Sequence, residues 1–111
     1  MLGLNFQNIF FYNEPVDMRK SFNSLSNLVF HKFTDKLLSG DPFVFINKRK
    51  NIIKILYWHG DGFVIWNKRL EQGTFLVSWN GKTLLTRREF MMLLEGITAT
   101  KINHRFSLKK E

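Results

Sequence analysis

The sequence of 111 residues contains no cysteine, which excludes disulfide bonds and thiolate chemistry. Charged or turn-forming residues interrupt every apolar run well before the roughly 20 residues that a membrane-spanning helix needs. The segment from Met1 to Pro15 has no basic leader and no small-residue cleavage site, so no secretory signal is predicted. Together these absences favour a cytoplasmic protein.

Acidic residues are also scarce, with 9 against 17 basic residues, a net charge of +8 and an isoelectric point near 10.1. A domain this basic attracts polyanions, so nucleic acid is the first candidate partner. An anionic membrane surface is the second candidate, but it requires a basic amphipathic helix. The alternative to both is a soluble protein that is basic without binding a polyanion.

Apolar residues, in contrast, are plentiful, since hydrophobic residues make up 44% of the chain and 12 of them are phenylalanine. This composition predicts a folded chain, because disorder requires low hydrophobicity. The length allows one domain with a modest core. We predict a single domain over residues 1–97. A basic tail over residues 98–111, where hydrophobic periodicity stops, is expected to be loosely ordered.

An amphipathic helix is predicted in the first half of the chain, with Asp17 as its N-cap and Ser39-Gly40 beyond its end. Its apolar face recurs every three or four residues and comprises Met18, Phe22, Leu25, Val29, Phe33 and Leu37. The opposite face is too weakly basic for a membrane helix. We therefore predict no membrane partner.

A short C-terminal helix is predicted to begin after Thr86, because Thr86 and Glu89 have the spacing of a capping box. Leu85 and Phe90 have the spacing of a hydrophobic staple that would close over the first turn. Gly96 marks the predicted end.

Alternating apolar residues between and before these helices predict strands. The predicted strands cover residues 7–12, 43–47, 52–58, 63–67, 74–79 and 82–85, and Asn80-Gly81 is a hairpin signal between the last two. Because the links are too short for parallel crossovers, we expect an antiparallel meander. The predicted fold class is α+β: about five or six antiparallel strands with one N-terminal amphipathic helix and a short C-terminal helix.

The segment His59-Gly60-Asp61-Gly62 lies between two of the predicted strands, where a tight turn favours glycine and Asp-Gly pairs. A hydrolytic role for His59 would need a nucleophile, and the sequence contains no Gly-x-Ser-x-Gly elbow. The three histidines lack metal-ligand spacing. We therefore interpret the segment as a turn and predict no enzymatic activity, no metal site and no cofactor.

Five segments in order along the chain resemble one family: VDMRKSF (16–22), DPFVFINKR (41–49), IKILYWHGDGF (53–63), KRLEQGTF (68–75) and LLEGI (93–97). They are similar to the small TnpB accessory proteins of the insertion-sequence sixty-six family of bacterial mobile elements. This family is distinct from the RNA-guided nucleases of the same name. In the family the position of His59 is usually Asp and that of Ser21 is commonly Gly. A turn tolerates the change at His59 easily.

The resemblance implies a helper in transposition that is encoded beside a separate transposase, which cleaves and joins the DNA strands. It assigns no catalytic residue to the helper. The implied partners are the DNA of the element ends, the transposase and other element-encoded proteins.

Basic residues in three segments are candidates for contacting DNA phosphates, whatever the base sequence. They are Arg19 and Lys20 before the first helix, Lys48, Arg49 and Lys50 in a hairpin turn, and Lys68 and Arg69 after a strand. Two alternatives stay open. The turn residues could simply stay hydrated and prevent aggregation of a sheet edge. Arg69 could pair with Glu71, and Arg19 with an acid such as Glu14.

Aromatic residues suggest a second function, a protein-protein adaptor that binds the transposase without contacting DNA. Trp58 and Trp66 are the candidate partner-binding residues, because exposed tryptophans beside arginine are typical of binding hot spots. Such side chains can also stack on unpaired bases. For most of the aromatic residues the simpler interpretation is that they fill the core.

Overall fold

The computed structural model describes residues 6–96, which form an α+β fold with a mixed sheet. The elements in chain order are β1 (Phe10–Phe11), α1 (Phe22–Phe33), a 3₁₀ turn (Thr34–Lys36), β2 (Phe43–Ile46), β3 (Ile52–Trp58), β4 (Phe63–Arg69) and α2 (Arg87–Glu95). Within residues 6–96 the sheet has four strands in the order β1-β2-β3-β4. In this part of the chain, neither helix has the length and apolarity that crossing a bilayer requires. The predicted tail at 98–111 lies outside the described residues.

The centre of the sheet is the predicted meander. β2 and β3 pair antiparallel, with Val44 opposite Ile55, and β3 and β4 pair antiparallel across the whole length of both strands. The segment 59–62 joins β3 to β4 as a tight turn in which the His59 N–H donates to the Gly62 carbonyl at 2.8 Å. Gly60 has a φ of +72°, which glycine adopts without strain. The interpretation of this segment as a turn is confirmed.

The purely antiparallel arrangement was wrong, because β1 pairs with β2 in parallel, with Phe10 opposite Phe43. The links among β2, β3 and β4 are short, which permits only antiparallel pairing there. The link from β1 to β2 spans residues 12–42 and contains α1, which is long enough for a parallel crossover. The N-terminal strand also has only two residues, against the predicted six at 7–12.

The prediction of five or six strands was also wrong, because residues 74–79 and 82–85 do not pair as a hairpin. Residues 70–86 instead follow an irregular path across one face of the sheet, where Phe75 and Leu85 are buried. Leu84 forms a single antiparallel bridge with Phe10 at the far edge. Burial against the sheet face thus overrides the local hairpin signal of Asn80-Gly81.

The first helix begins later than predicted, at Phe22, and Asp17 does not cap it. The Asp17 carboxylate instead accepts from the Arg19 N–H at 2.9 Å, which forms a local turn. Ser21 occupies the N-cap position without a side-chain hydrogen bond. Leu25 and Val29 are fully buried as predicted, but Phe22, which was assigned to the same face, is 46% exposed.

The start and the end of α2 are as predicted. The Thr86 hydroxyl accepts from the Glu89 N–H, and the Glu89 carboxylate accepts from the Thr86 N–H, which completes the capping box. The Lys82 ammonium beside it and the Thr86 backbone N–H hold the pKa of Glu89 below its usual value. Gly96 ends the helix in the left-handed conformation, at a φ of +70°.

Buried side chains lie on both faces of the sheet, as the alternation along β3 requires. On one face Ile53, Ile55 and Tyr57 pack with the 70–86 segment and α2. On the other face Leu56, Phe43 and Phe45 pack against α1. The molecule is therefore a three-layer sandwich: α1, the sheet, and the layer formed by residues 70–86 with α2.

Candidate nucleic-acid interface

The turn between β2 and β3 is held by the side chain of Asn47. Its carbonyl oxygen accepts from the N–H groups of Asn51 and Ile52, both at 3.0 Å, and its amide donates to the Asn51 side chain at 2.7 Å. Side-chain bonds to the backbone are the means by which asparagine stabilises tight turns. Lys48 and Arg49 lie at the tip and are exposed. The turn is thus fixed from below while its cations face solvent.

The loop before α1 is attached to the sheet by Lys54, a lysine in the middle of β3. Its ammonium donates to the carbonyls of Met18 at 2.7 Å and Lys20 at 3.0 Å. These bonds direct both carbonyls at the sheet, which is why the chain does not turn helical until Phe22. Lys54 therefore sets the position of the Arg19–Lys20 pair.

Basic side chains from three segments meet at one end of the sheet. Residues 15–18 and 47–49 line one shallow surface cleft of about 330 Å³, which places the loop before α1 beside the β2–β3 turn. Arg69 pairs with Ile52 at the start of β3, and the Leu70 N–H donates to the Asn51 carbonyl at 2.8 Å, which brings the end of β4 to the same place. We call Arg19, Lys20, Lys48, Arg49 and Arg69 the basic end.

One cation of the basic end is partly neutralised. The Arg19 guanidinium donates from two nitrogens to the Asp17 carboxylate, with the shortest contact at 2.6 Å. These hydrogen bonds hold the pKa of Asp17 well below its usual range and raise the pKa of Arg19. The alternative that Arg19 pairs with a nearby acid is confirmed, and the acid is Asp17 and not Glu14. No ion pair joins Arg69 to Glu71.

Two of the seven predicted DNA-contacting residues are engaged inside the molecule. The Lys50 ammonium donates to the Val77 carbonyl at 2.7 Å and lies 5.6 Å from the centre of the Trp79 ring. The Lys68 ammonium donates to the Leu94 carbonyl at 3.2 Å, at the C-terminal end of α2, where a cation is favourable. Both side chains are half-buried, so the basic end does not include them.

The two candidate tryptophans do not share a surface. The Trp58 and Phe63 rings meet edge to face with their centres 5.0 Å apart, on the α1 side of the sheet. Trp66 lies opposite Ile55 and packs on the α2 side. Both are half-buried. The register of β3 and β4 therefore places the two tryptophans on opposite faces of the sheet.

Other residues emerge from the structure that the sequence interpretation did not single out. Lys54 is one, and the signal was available, because a lysine inside an apolar strand requires a hydrogen-bonding partner. Phe30 is another, at 57% exposure, and it stands outside the apolar stripe predicted for α1. Together with Phe22, it makes α1 the source of the exposed phenylalanines among residues 6–96.

The histidines give no indication of metal chemistry in the described part of the chain. Among residues 6–96, no three side chains of the His, Cys, Asp or Glu types are grouped to hold a metal ion. His59 is exposed in the β3–β4 turn, and His31 contacts the ring of Phe30. His104 lies outside the described residues.

Comparison with known proteins gives a family match and similar proteins. The family model described as "IS66 Orf2 like protein" matches residues 7–104. The chain is similar to two proteins of Sinorhizobium fredii (strain NBRC 101917 / NGR234). It is 32% identical to "Uncharacterized protein y4jC" over 94 residues, 83% of this chain and 80% of the relative. It is 31% identical to "Uncharacterized protein y4hO" over 85 residues, 73% of this chain and 72% of the relative. No solved structure matches significantly.

Proposed function

Since the chain belongs to the family of IS66 Orf2-like proteins, we propose that this insertion-sequence accessory protein binds duplex DNA through its basic end and assists a separately encoded transposase. The observation that carries the proposal is the convergence of five cationic side chains from three segments far apart in sequence. Lys48, Arg49 and Arg69 are exposed there without an acidic partner among the described residues.

The shape of the basic end suits the phosphates that border a DNA groove. Its tip is the turn between β2 and β3, which β4 flanks on one side and Val16 on the other, so the cations lie along the end of the sheet. Cations on the flanks of the turn, Arg19 and Lys20 on one side and Arg69 on another, are placed to contact phosphates. If all five cations displace counterions, the logarithm of the affinity should fall with the logarithm of the salt concentration with a slope of about −4 to −5.

The test is fluorescence anisotropy of the protein with labelled duplexes across a salt series. One duplex has the sequence of the element ends, and the other is its scrambled version. Preference for the ends would mean base recognition, and equal binding with a steep salt slope would mean phosphate contacts alone. No binding at low salt would refute the proposal.

The matched variants separate the basic end from overall charge. Lys48→Ala/Arg49→Ala removes two cations from the tip, and Lys36→Ala/Arg88→Ala removes two exposed cations elsewhere. We expect the first pair to weaken affinity by roughly 10- to 100-fold and to flatten the salt slope by about two. The second pair should have a several-fold smaller effect. Equal effects would mean that net charge alone attracts the DNA.

A second candidate function, a transposase adaptor, is favoured by an open cleft of about 360 Å³ between residues 76–82 and α2. Its lining includes the apolar side chains of Phe11, Leu85 and Leu93, and Leu76 at its mouth is 40% exposed. Polar side chains of Ser78, Asn80, Lys82 and Glu89 complete the lining, and concave sites that combine apolar and polar groups are typical of binding sites. Capture of the transposase of the same element should then be lost in Leu76→Glu and kept in Leu38→Glu, which alters an apolar residue that is 60% exposed elsewhere.

A further inference from the structure

The outermost strand of the sheet, β4, has an open edge. Its inner side pairs with β3 over all seven residues, from Phe63 opposite Trp58 to Arg69 opposite Ile52. On its outer side no segment among residues 6–96 pairs with it. Unpaired strand edges are templates for adding another strand, so proteins usually protect or use them.

The register shows which backbone groups face outward. At the two ends of the β3–β4 pair, the His59 N–H donates to Gly62 and the Leu70 N–H donates to Asn51. In an antiparallel pair such bonded positions recur at every second residue. The even-numbered residues of β4 are therefore bonded to β3. The N–H and C=O groups of Phe63, Ile65, Asn67 and Arg69 point away from the sheet.

The first four residues of the edge lack the usual devices that prevent strand addition. Phe63 to Trp66 are four consecutive apolar residues, all partly exposed, with no proline, charge or bulge among them. The charged residues Lys68 and Arg69 stand only at the C-terminal end. An exposed apolar edge of this kind is suited to pairing and not to contact with water.

We propose that this edge pairs with a second copy of the chain, β4 against β4, in an antiparallel two-fold arrangement centred on Ile65. A two-fold axis perpendicular to the sheet keeps each face on its own side, and the side chains of directly opposed residues must share a face. The axis therefore passes midway between the two copies of one residue, which lie opposite each other. When that residue is Ile65, Phe63 faces Asn67 of the other copy, and about six backbone hydrogen bonds form between outward-facing groups.

The Ile65-centred register is favoured by side-chain complementarity. Val64 of each copy lies opposite Trp66 of the other, an aromatic and β-branched pair that stabilises antiparallel strands. Asp61 of each copy comes beside Arg69 of the other. Each end of the paired strands therefore carries an opposite-charge pair. Arg69 has no acidic partner in the monomer among residues 6–96.

The neighbouring registers lack this complementarity. Centring on Trp66 would set Val64 opposite Lys68 and Phe63 opposite Arg69, so the cations would face apolar residues. Centring on Val64 would place Asp61 opposite Asn67 and leave Arg69 beyond the paired region. The charge pair and the apolar pair form together only when the two copies of Ile65 lie opposite each other.

The first test compares two substitutions at one position. Asn67 is exposed, and its N–H points outward, so Asn67→Pro removes two intermolecular donors per dimer and leaves the bonds to β3 intact. Asn67→Ala keeps the donor. By sedimentation equilibrium at physiological salt, we expect the wild-type chain to dimerise within a range of about 1–200 µM. The proline variant should raise the dimer dissociation constant at least about tenfold, and the alanine variant should change it less than about threefold.

The second test exchanges charges. Asp61→Arg places two cations together at each end of the paired β4 strands. It should raise the dimer dissociation constant roughly tenfold at low salt. Asp61→Arg/Arg69→Asp restores the opposite pairing in reverse and should recover most of the loss. Circular dichroism and thermal unfolding of each variant establish that the monomer still folds.

Amide hydrogen exchange gives a residue-level readout. On dilution, the N–H groups of Phe63, Ile65 and Asn67 should lose protection, while those of Val64 and Trp66, bonded to β3, should keep it. A wild-type chain that stays monomeric at about 200 µM would overturn the proposal. So would a dimer that Asn67→Pro leaves intact, because its interface would lie elsewhere. Neither result bears on DNA binding, which is measured separately at protein concentrations below the dimer range, where Arg69 has no acidic partner among residues 6–96.

Discussion

The turn at residues 48–51 and the turn at residues 59–62 lie at opposite ends of β3, and they are held in different ways. The first is fixed by backbone hydrogen bonds and also by side chains: the Asn47 side chain donates one hydrogen bond and accepts two, and Lys50 donates to Val77. The second is fixed by its backbone alone, through the bonds of His59 and Asp61 and a glycine of positive φ. The turn at residues 48–51, the basic turn, is thus also held by a contact from outside the hairpin. The turn at residues 59–62, the glycine turn, is held only by its own backbone.

This difference shows where a rigid surface is needed. A turn that only reverses the chain needs glycine and a short loop, and its remaining side chains are unconstrained. A turn that presents cations to a partner gains from bracing, because ordering its backbone on binding then costs less conformational entropy. The bracing around Lys48 and Arg49 therefore agrees with the proposed DNA contact, and its absence around His59 agrees with a simple link.

The largest effect on stability is expected from Asn47→Ala. The substitution leaves the N–H groups of Asn51 and Ile52 without their acceptor, so the free energy of unfolding should fall by about 1–3 kcal/mol. Asp61→Ala, in the other turn, should change it by less than about 0.5 kcal/mol. Urea unfolding of both variants measures the contrast. Similar losses from both would mean that the two turns are equally dependent on side chains.

A smaller effect should separate two neighbouring lysines. Lys50→Met removes the donor to Val77 and the cation over Trp79, and should lower the free energy of unfolding by about 1 kcal/mol. It should leave DNA affinity nearly unchanged. Lys48→Met should do the reverse, with stability retained and affinity lowered several-fold. Thermal unfolding measures the stability of both variants, and fluorescence anisotropy measures their DNA affinity. The same changes in both variants would contradict a structural role for Lys50 and a DNA-contacting role for Lys48.

The ion pair at the basic end predicts a gain in binding. Asp17→Asn keeps the oxygen that accepts from the Arg19 N–H but removes the negative charge beside the guanidinium, so DNA affinity should rise about threefold. The salt dependence should steepen by about one counterion. Asp35→Asn, which removes an exposed acid outside the basic end, is the control with the same change in net charge. An equal gain in the control would assign the effect to net charge.

The smallest effect is expected from His59→Asp. The His59 side chain is exposed, and the turn is held by the backbone N–H at this position, which the substitution keeps. Stability should stay within about 0.5 kcal/mol of wild type, and DNA affinity within about twofold. A large loss in either measurement would show that the glycine turn has a role beyond reversing the chain.

The features that the sequence predicted correctly depend on residues close together along the chain. The turn at 59–62, the hairpin from β2 to β3 and the capping box of α2 each follow from a few neighbouring residues. The opposite faces of Trp58 and Trp66 could also have been predicted. A tight turn at 59–62 sets the register of β3 against β4. The alternation of side chains along each strand then places the two tryptophans on opposite faces.

The features that were missed depend on residues far apart. The parallel pairing of β1 with β2 is set by contacts across more than thirty residues, and no local pattern marks it. The segment from Leu70 to Thr86 carries a strand pattern, but its apolar side chains pack on the sheet face instead. In the basic end, each cation was visible in the sequence, whereas their convergence depends on Lys54 holding the loop before α1.

The position of β1 has a consequence for how the protein forms during synthesis. Phe10 pairs on one side with Phe43 and on the other with Leu84, so this early segment needs a partner that is translated 74 residues later. At common translation speeds, that interval lasts roughly 4–15 s. During it, the hydrophobic N-terminal segment has no completed site to occupy. The meander of β2, β3 and β4 can assemble first, and the N-terminus is the part of the nascent chain that chaperones would be expected to protect.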